Sequence, residues 1–455
     1  MDIITEQFCR LGYMTKELRR EGSGKKFSGI EIPTGLTWAN FFHLYLASWI
    51  VGCLMALPAV VQPAFLKETI GIPEQLAGSI NSGLQNMGQL ATLLLIGLVG
   101  VASDKYGRRI LVISGFMLCF IFYITFGYSK DIGLFFGLTS VGGQIFCTYL
   151  IRFLIGIGLV LSHPQFVTMV ADYTFVEGRG KGMALHAIML SLGTLCVYGL
   201  FTQIATKIGV VGLLYIAGLL ALLGAVVARA GLVDRLPEGK FTKIGIKEIR
   251  RTVSKSFALK VSYLASFVTR ADIAIPSTLL MVWMVSVADK FGYTPVQATA
   301  RGGIIIMVGS LFGLVSFAII GVLLDRVGRT PVLIATLLIA GVGYLLIATA
   351  ENPFSPMMFI YVSVLGFGKN GASVAANTLA SDAAPKPMLG SILGGLNTVG
   401  TLGIILFLQA CGYLFDSFSC GSAFLFKGLV DLLCGVWVWT VKGRIIFDPH
   451  GQQTE

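Results

Sequence analysis

The sequence predicts an all-α membrane protein, twelve transmembrane helices arranged as two pseudo-symmetric six-helix bundles. Three observations lead there. Of the 455 residues, 55% are hydrophobic and only 13% charged, with a mean hydropathy of +0.81, whereas soluble domains carry about 25% charged residues. The apolar residues gather into spans of about 20 residues or more, long enough to cross roughly 30 Å of hydrocarbon as helices. A charged, glycine-containing turn within Gly97 to Gly115 also returns in degenerate form later in the chain.

In order, the expected spans are Trp38–Leu66, Gln75–Ala102, Ile110–Tyr128, Ser140–Val170, Gly182–Ile204, Val210–Ala230, Leu259–Ala288, Pro295–Leu324, Val332–Ala350, Met357–Leu379, Leu389–Phe415 and Ser422–Val441. Twelve crossings put both termini on one side. About 25 of the 34 Lys and Arg residues fall in segments on that side, the first tail and the second turn included, and the basic connections among them are Lys105 to Arg109, Arg179 to Lys181, Arg229 to Lys260, and Lys442 to Arg444. The positive-inside rule makes that side cytoplasmic. The net charge of +11 therefore reports topology. A basic groove with interleaved aromatics, as nucleic-acid binding requires, is absent.

The expected layout is a cytoplasmic tail over 1–37, a six-helix bundle over 38–231, a cytoplasmic linker over 232–258, a second bundle over 259–442 and a cytoplasmic tail over 443–455. The first tail is polar, with both charge signs, and lacks the apolar core and cleavage site of a signal peptide. Asp234 to Lys260 carries eight Lys or Arg against three acids, and its amphipathic run Ile244 to Val253 is expected as a short helix on the membrane surface. The eight cysteines are scattered, most of them inside apolar runs, with no metal-ligand spacing and no disulfide implied. His186 and Met189 lack a second ligand pair for copper. Gly156-x-Gly158 follows no strand, which removes the nucleotide reading. No hydrolase or kinase constellation is visible, and no cofactor or metal is expected.

The turn packs Asp104, Lys105, Arg108 and Arg109 around Gly107, between two apolar spans. Such a segment belongs at a membrane face, outside hydrocarbon. Its second copy reads Gly321-Val-Leu-Leu-Asp325-Arg326-Val-Gly328-Arg329-Thr-Pro331, at an offset of 221 from Asp104 to Asp325 and from Gly107 to Gly328. Further on, Gly156, Gly158 and Asp172 match Gly366, Gly368 and Asp382 at an offset of 210. The first half thus carries about eleven extra residues, placed most easily in Lys130 to Gly143. Parallel six-helix halves form a known transporter architecture.

Gly100-x-x-x-Asp104-Lys105-x-Gly107-Arg108-Arg109 resembles the signature between helices 2 and 3 of the major facilitator superfamily, and the second copy between helices 8 and 9 fits the same pattern. Arg152-x-x-x-Gly156-x-Gly158 in helix 4 resembles the motif of its proton-coupled members. The resemblance covers nearly the whole chain and implies an alternating-access transporter. Helix 5 lacks the Gly-Pro element common in the superfamily's drug antiporters, and helix 1 has no acid between Trp38 and Leu66. The turn is expected to act as a latch. Gly100, Asp104, Gly107, Arg108 and Arg109, with Asp325, Gly328 and Arg329, are its gating residues. Asp104 is expected to favour a helix N-terminus such as the one after Pro387, a contact worth roughly 0.3–1 kcal/mol when exposed and up to about 2 when partly buried.

Ionisable residues at mid-membrane are costly and usually functional. Arg152 in helix 4, Arg270 and Asp272 in helix 7, and Lys369 in helix 10 qualify, and the resemblance implies that helices 1, 4, 7 and 10 line a central cavity. Arg270 and Asp272 stand about 200° apart around their helix, so they face different neighbours. Three cations against one acid suit an anionic substrate, Arg as a bidentate fork and Lys as a point charge. Arg152, Arg270 and Lys369 are the expected anion-binding residues. Asn81, Gln85 and Gln89 form a polar stripe on helix 2, expected to join them in lining the substrate pathway or else to hydrogen-bond a neighbouring helix. Asp272, with Arg152, is expected to couple a proton.

In helix 12, Lys427 and Asp431 are four apart and suited to neutralise each other. Arg301 suits either an outer vestibule or the headgroups. The leading reading is therefore a symporter of a small organic anion, most simply a monomer in a bacterial inner membrane with both termini cytoplasmic. A proton-driven exporter of drug-like amphiphiles is the alternative. A receptor or assembly role would need a soluble module larger than the tail and linker provide.

Overall fold

The structure is a computed structural model describing residues 22–235, 246–385 and 388–445. Ten stretches of these residues are long and apolar enough to cross a membrane. One of them, Glu177–Gly231, makes two crossings because Gly209 turns the chain (φ 75°, ψ 173°). Helix Met357–Ala383 brings the number to twelve.

The first half contains α1 (Trp38–Phe65), α2 (Ala77–Tyr106), α3 (Arg108–Gly127), α4 (Val141–Tyr173), α5 and α6. Helix α5 starts with Val176–Cys196 and continues through a π-helical turn, Val197–Phe201, to residue 208; α6 covers 210–231. The second half contains α7, α8 (Pro295–Arg326), α9 (Arg329–Ala348), α10 (Met357–Ala383), α11 (Leu389–Ser417) and α12 (Cys420–Val441). Side-chain caps mark several starts. The Thr37 and Thr294 hydroxyls accept from the Asn40 and Gln297 backbone N–H groups, with the reciprocal contacts made by the Asn40 and Gln297 side chains.

The two repeated turns are tighter than loops. Helices α2 and α3 are parted only by Gly107 (φ 92°, ψ 153°), and α8 and α9 by Val327 and Gly328 (φ 99°, ψ 164°). Glycine alone enters this region without a Cβ penalty. Accordingly α2 runs on to Tyr106, past the expected end at Ala102.

The repeat also holds in packing. Arg108 pairs with Asp172 in the first half and Arg329 with Asp382 in the second. Gly156 lies against Gly88 as Gly366 lies against Gly309, and Gly158 against Cys119 as Gly368 against Ala340. Each pair preserves the sequence offsets. Small residues let helix backbones approach where no hydrophobic force drives association. The extra residues of the first half include a short helix, Ser129–Phe135, between α3 and α4.

Three segments differ from the sequence expectation. Helix α7 is broken: Phe257–Thr269 gives way to a 3-10 turn, Arg270–Ile273, before Ile275–Ser286 resumes with Pro276 in its first turn. Residues 22–33, expected as tail, form a hairpin of β1 (Gly22–Phe27) and β2 (Ile30–Pro33). Its turn, Ser28 (φ 46°) and Gly29 (φ 77°), has both central residues at positive φ, as two-residue hairpins favour. Phe27, Ile30 and Ile32 are buried, with the Phe27 ring 5.0–5.6 Å from those of Trp38, Phe41 and Tyr45. Four alternating residues were too short a signal to reveal this strand. The amphipathic linker helix spans Ile246–Lys255, with residues 244 and 245 outside the described set. Its Ile249 and Val253, both half-buried, pack on a cluster that includes Leu259, Met388 and Ile392, so the apolar face is shared with the second bundle.

Candidate transport site

Between the halves lies a cavity of about 400 Å³, walled by α1, α2, α4 and α5 on one side and α7, α8, α10 and α11 on the other. Gln85, Gln89, Arg152, His163, Ser277, Lys369 and Asn370 are among its polar lining residues, and no Asp or Glu is among them.

Arg152 is 3% exposed. Its Nη2 donates to Gln85 Oε1 at 3.2 Å, while its Nε and Nη1 are buried without partners. Gly88 makes room for the guanidinium, because a Cβ there would stand 3.2 Å from Nη2. Across the cavity, Lys369 makes no hydrogen bond or ion pair among the described residues. Two cations thus face one cavity, both with donors to spare. His163 lines the same cavity, and its ring stacks 6.4 Å from that of His186, which hydrogen-bonds Ser48 at 3.0 Å.

The polar stripe of α2 divides. Gln85 and Gln89 line the cavity, whereas Asn81 lies outside it and donates to the Ala77 carbonyl of its own helix at 2.8 Å. Arg270 and Asp272 leave the 3-10 turn in different directions, as their angular spacing requires. Arg270 reaches α11, where it donates to Asn397 Oδ1 and packs its stem over Gly400. It is not among the cavity-lining residues, although Ile273 and Ala274 next to it are.

Asp272 is 1% exposed and turns away from the cavity. It pairs with Lys427 of α12 and accepts from the Tyr344 hydroxyl of α9 at 3.0 Å. Lys427 also pairs with Asp431, at 2.5 Å. The local Lys427–Asp431 pair expected from spacing therefore exists, but as part of a three-residue cluster. No sequence signal joins Asp272 to Lys427, because four helices, α8 to α11, separate α7 from α12.

At the repeated turns, Arg108 is buried against Asp172. Arg109 donates to the Arg229 carbonyl, at the last turn of α6, at 2.5 Å. A residue that sequence reading missed organises the turn: Asp234 Oδ1 accepts from the Arg108 and Arg109 backbone N–H groups, both at 2.8 Å. It caps α3, and a Cβ on Gly107 would come within 2.5 Å of its Oδ2. Asp104 is exposed and makes no hydrogen bond among the described residues. Pro387, beside its expected contact, lies outside the described set. Gly100 and its counterpart Gly321 border open space. In the second turn, Arg329 binds Asp382 at 2.6 Å and the Leu324 carbonyl at 2.7 Å, with Asp325 at 3.6 Å.

The halves are joined on the other face. Asp416 of α11 binds the start of α2, Lys67 binds Asp289 at 2.8 Å, Asn86 donates to the Ile405 carbonyl, and Gln203 donates to the Ala300 carbonyl. Among the described residues, these and the neighbouring hydrogen bonds and ion pairs between the halves lie toward this face, opposite the repeated turns. Arg301, near the same face, stacks over the Tyr293 ring at 4.2 Å.

A family model described as Major Facilitator Superfamily matches residues 44–408 and, in a second match, 263–449. The chain is 26% identical over 408 residues to magnetosome protein MamH of Paramagnetospirillum magneticum, covering 90% of this chain and 94% of that protein. It is 28% identical over 430 residues to magnetosome protein MamZ of Magnetospirillum gryphiswaldense, covering 93% of this chain and 65% of that longer protein. Among solved structures, a D-xylose-proton symporter superposes with a TM-score of 0.70 at 17% identity, covering 88% of this chain and 97% of that one.

Proposed function

Because the chain belongs to the Major Facilitator Superfamily, we propose that it moves a small organic anion by alternating access, together with a proton. The observation that carries the cargo class is Arg152, a buried guanidinium with two unpartnered nitrogens on a cavity that also holds Lys369 and no lining carboxylate. A buried cation without a partner is costly, and an anion with two oxygens relieves that cost through a bidentate pair. Arg152 and Lys369 are the primary binding residues, with Gln85 and Gln89 orienting the substrate. Arg270 acts from the cavity edge through Asn397, and Asn81 has a helix-stabilising part. Asp272, with Arg152, serves proton coupling.

Gating belongs to the repeated turns. In the conformation described, the opposite face is joined, Asp104 is unengaged, and space stands beside Gly100 and Gly321. The exchange to the other conformation brings Asp104 onto the start of α11, while Gly107, Arg108, Arg109, Asp325, Gly328 and Arg329 hold the two turns rigid. The transporter works as a monomer, with the turns and both termini in the cytoplasm, as the basic connections favour. The two bacterial relatives support a bacterial membrane, and their names support a magnetosome membrane as its narrower form. Recovery of a tagged chain in purified magnetosomes or in the inner membrane decides between these settings.

A thermal-stability screen of the purified protein across carboxylates, phosphates, amino acids and cationic amphiphiles tests the cargo. A bound ligand at a hundred times its Kd stabilises by about 2.7 kcal/mol. Anions are expected to stabilise the wild type and not Arg152→Ala. Stabilisation confined to cationic amphiphiles would overturn the anion reading in favour of a drug exporter.

A further inference from the structure

We propose that the coupling proton resides on a closed Asp272–Lys427–Asp431 cluster, outside the substrate cavity, and that it controls the cavity through Lys369. The inference rests on the transport reading above and adds to it a second carboxylate and a location.

Asp272 is 1% exposed, and Lys427 and Asp431 are fully buried. The Lys427 ammonium binds Oδ1 of both acids. Two carboxylates around one ammonium carry one negative charge too many, in a place where uncompensated charge is most costly. Oδ2 of Asp272 and Oδ2 of Asp431 are both buried without a hydrogen-bond partner.

Among the described residues, the surroundings supply no second bound cation. From α9, Tyr344 donates its hydroxyl to Asp272, and its ring centre lies 5.2 Å from the Lys427 ammonium. From α11 come Cys411 and the Phe407 ring, 6.0 Å from that ammonium; α12 itself adds Cys434. From α10, Lys369 lines the cavity together with Ile273 and Ala274, the two residues after Asp272, and among the described residues it forms no ion pair with the cluster.

The missing positive charge must also be small. Lys427 already fills the gap between the carboxylates, and none of the three residues lines the central cavity. A metal ion would need the space that Lys427 occupies. A proton on either carboxylate needs none.

The same geometry links this proton to the cargo. Asp272 sits in the 3-10 turn of α7, and the next two residues, Ile273 and Ala274, line the cavity. Without the proton the cluster is negative and competes for the charge of Lys369. With the proton the cluster is neutral, and Lys369 is left to the anion. Proton and anion therefore favour each other's binding, and the coupling is reciprocal. That is the condition for symport.

Infrared difference spectroscopy of the full chain in lipid nanodiscs, titrated with alkali and without any cargo, tests the site. The wild type is expected to show a carboxylic-acid C=O band that disappears as pH rises. Asp272→Asn and Asp431→Asn each leave one carboxylate for Lys427, a neutral pair, so each is expected to fold and to lose the band. Lys369→Met is expected to move the transition to higher pH. A wild type without the band, a band retained in both Asn variants, or a band removed by sodium chloride at fixed pH would overturn the proton site. A transition that Lys369→Met leaves unmoved would overturn its link to the cavity. Since no cargo is used, failure of the anion reading leaves these outcomes unchanged.

Discussion

The Asp416 carboxylate is bound to the first turn of α2, accepting the Gly78 N–H on one oxygen and the Ser79 N–H on the other, both at 2.7 Å. A carboxylate from one half thus satisfies free N–H groups at the positive end of a helix from the other. Gly78 and Gly412 permit the approach, since a Cβ on Gly78 would stand 2.7 Å from the Gly412 carbonyl oxygen. Losing a capping carboxylate costs about 1 kcal/mol, roughly fivefold in an equilibrium constant. Asp416→Ala is therefore expected to shift the population about fivefold away from the conformation joined at this face. Distances between spin labels on the outer ends of α2 and α11 measure it. An unchanged distribution would show that the cap is not a gate.

The two acids around Lys427 are not equivalent to the lysine they share. Asp431→Asn leaves a one-to-one pair with Asp272, and the unfolding temperature is expected to stay near that of the wild type. Lys427→Met strands two buried carboxylates, and breaking a buried pair by removing one partner costs about 3–5 kcal/mol. Thermal unfolding in detergent compares the two. Equal losses would mean that Asp431 is as structural as Lys427.

Symmetry related by sequence need not be symmetry of energy. Arg108 and Asp172 have side chains 4% and 14% exposed, whereas those of Arg329 and Asp382 are 30% and 37% exposed. The buried pair loses about 3–5 kcal/mol when one partner is removed, and exposed pairs contribute about 0–1 kcal/mol. Arg108→Ala is expected to destabilise the protein several-fold more than Arg329→Ala in thermal unfolding. The reverse order would indicate that the second pair is tightened by contacts formed in another conformation.

Most of the scaffold was legible because hydrophobic length and the repeated turn are local signals. Each copy of the turn and each of the four intramembrane charges is read within a short window, and comparing the copies yields the offsets of 221 and 210. The contacts that organise those charges do not. Lys427 meets Asp272 only after four helices intervene, and spacing along α12 revealed Asp431 alone. Asp234 reads as one acid in a basic linker until the chain folds back beneath Gly107. Asn81 shares a stripe with Gln85, yet the cavity ends between them. The break in α7 had a signal in Pro276, but the surrounding apolar run concealed it. Hydropathy measures how much side chain is apolar and says little about which backbone turn bends.

The glycines of the first turn separate two requirements. Gly107 stands at φ 92°, with Asp234 where a side chain would go. Gly107→Ala is strained by both, so it is expected to lower the unfolding temperature, and Asp234→Ala is not expected to restore it fully because the backbone penalty remains. Gly100 is ordinary helix, and a Cβ there would meet nothing within 4 Å. Gly100→Ala should therefore fold as well as the wild type, or slightly better, since Ala in a helix is favoured over Gly by about 0.5–1 kcal/mol. If the space beside Gly100 is taken up by α11 when the conformation changes, the same substitution slows transport in vesicles while leaving the thermal stability intact. Normal transport by Gly100→Ala would show that this side of α2 stays open throughout the cycle and would remove Gly100 from the gate.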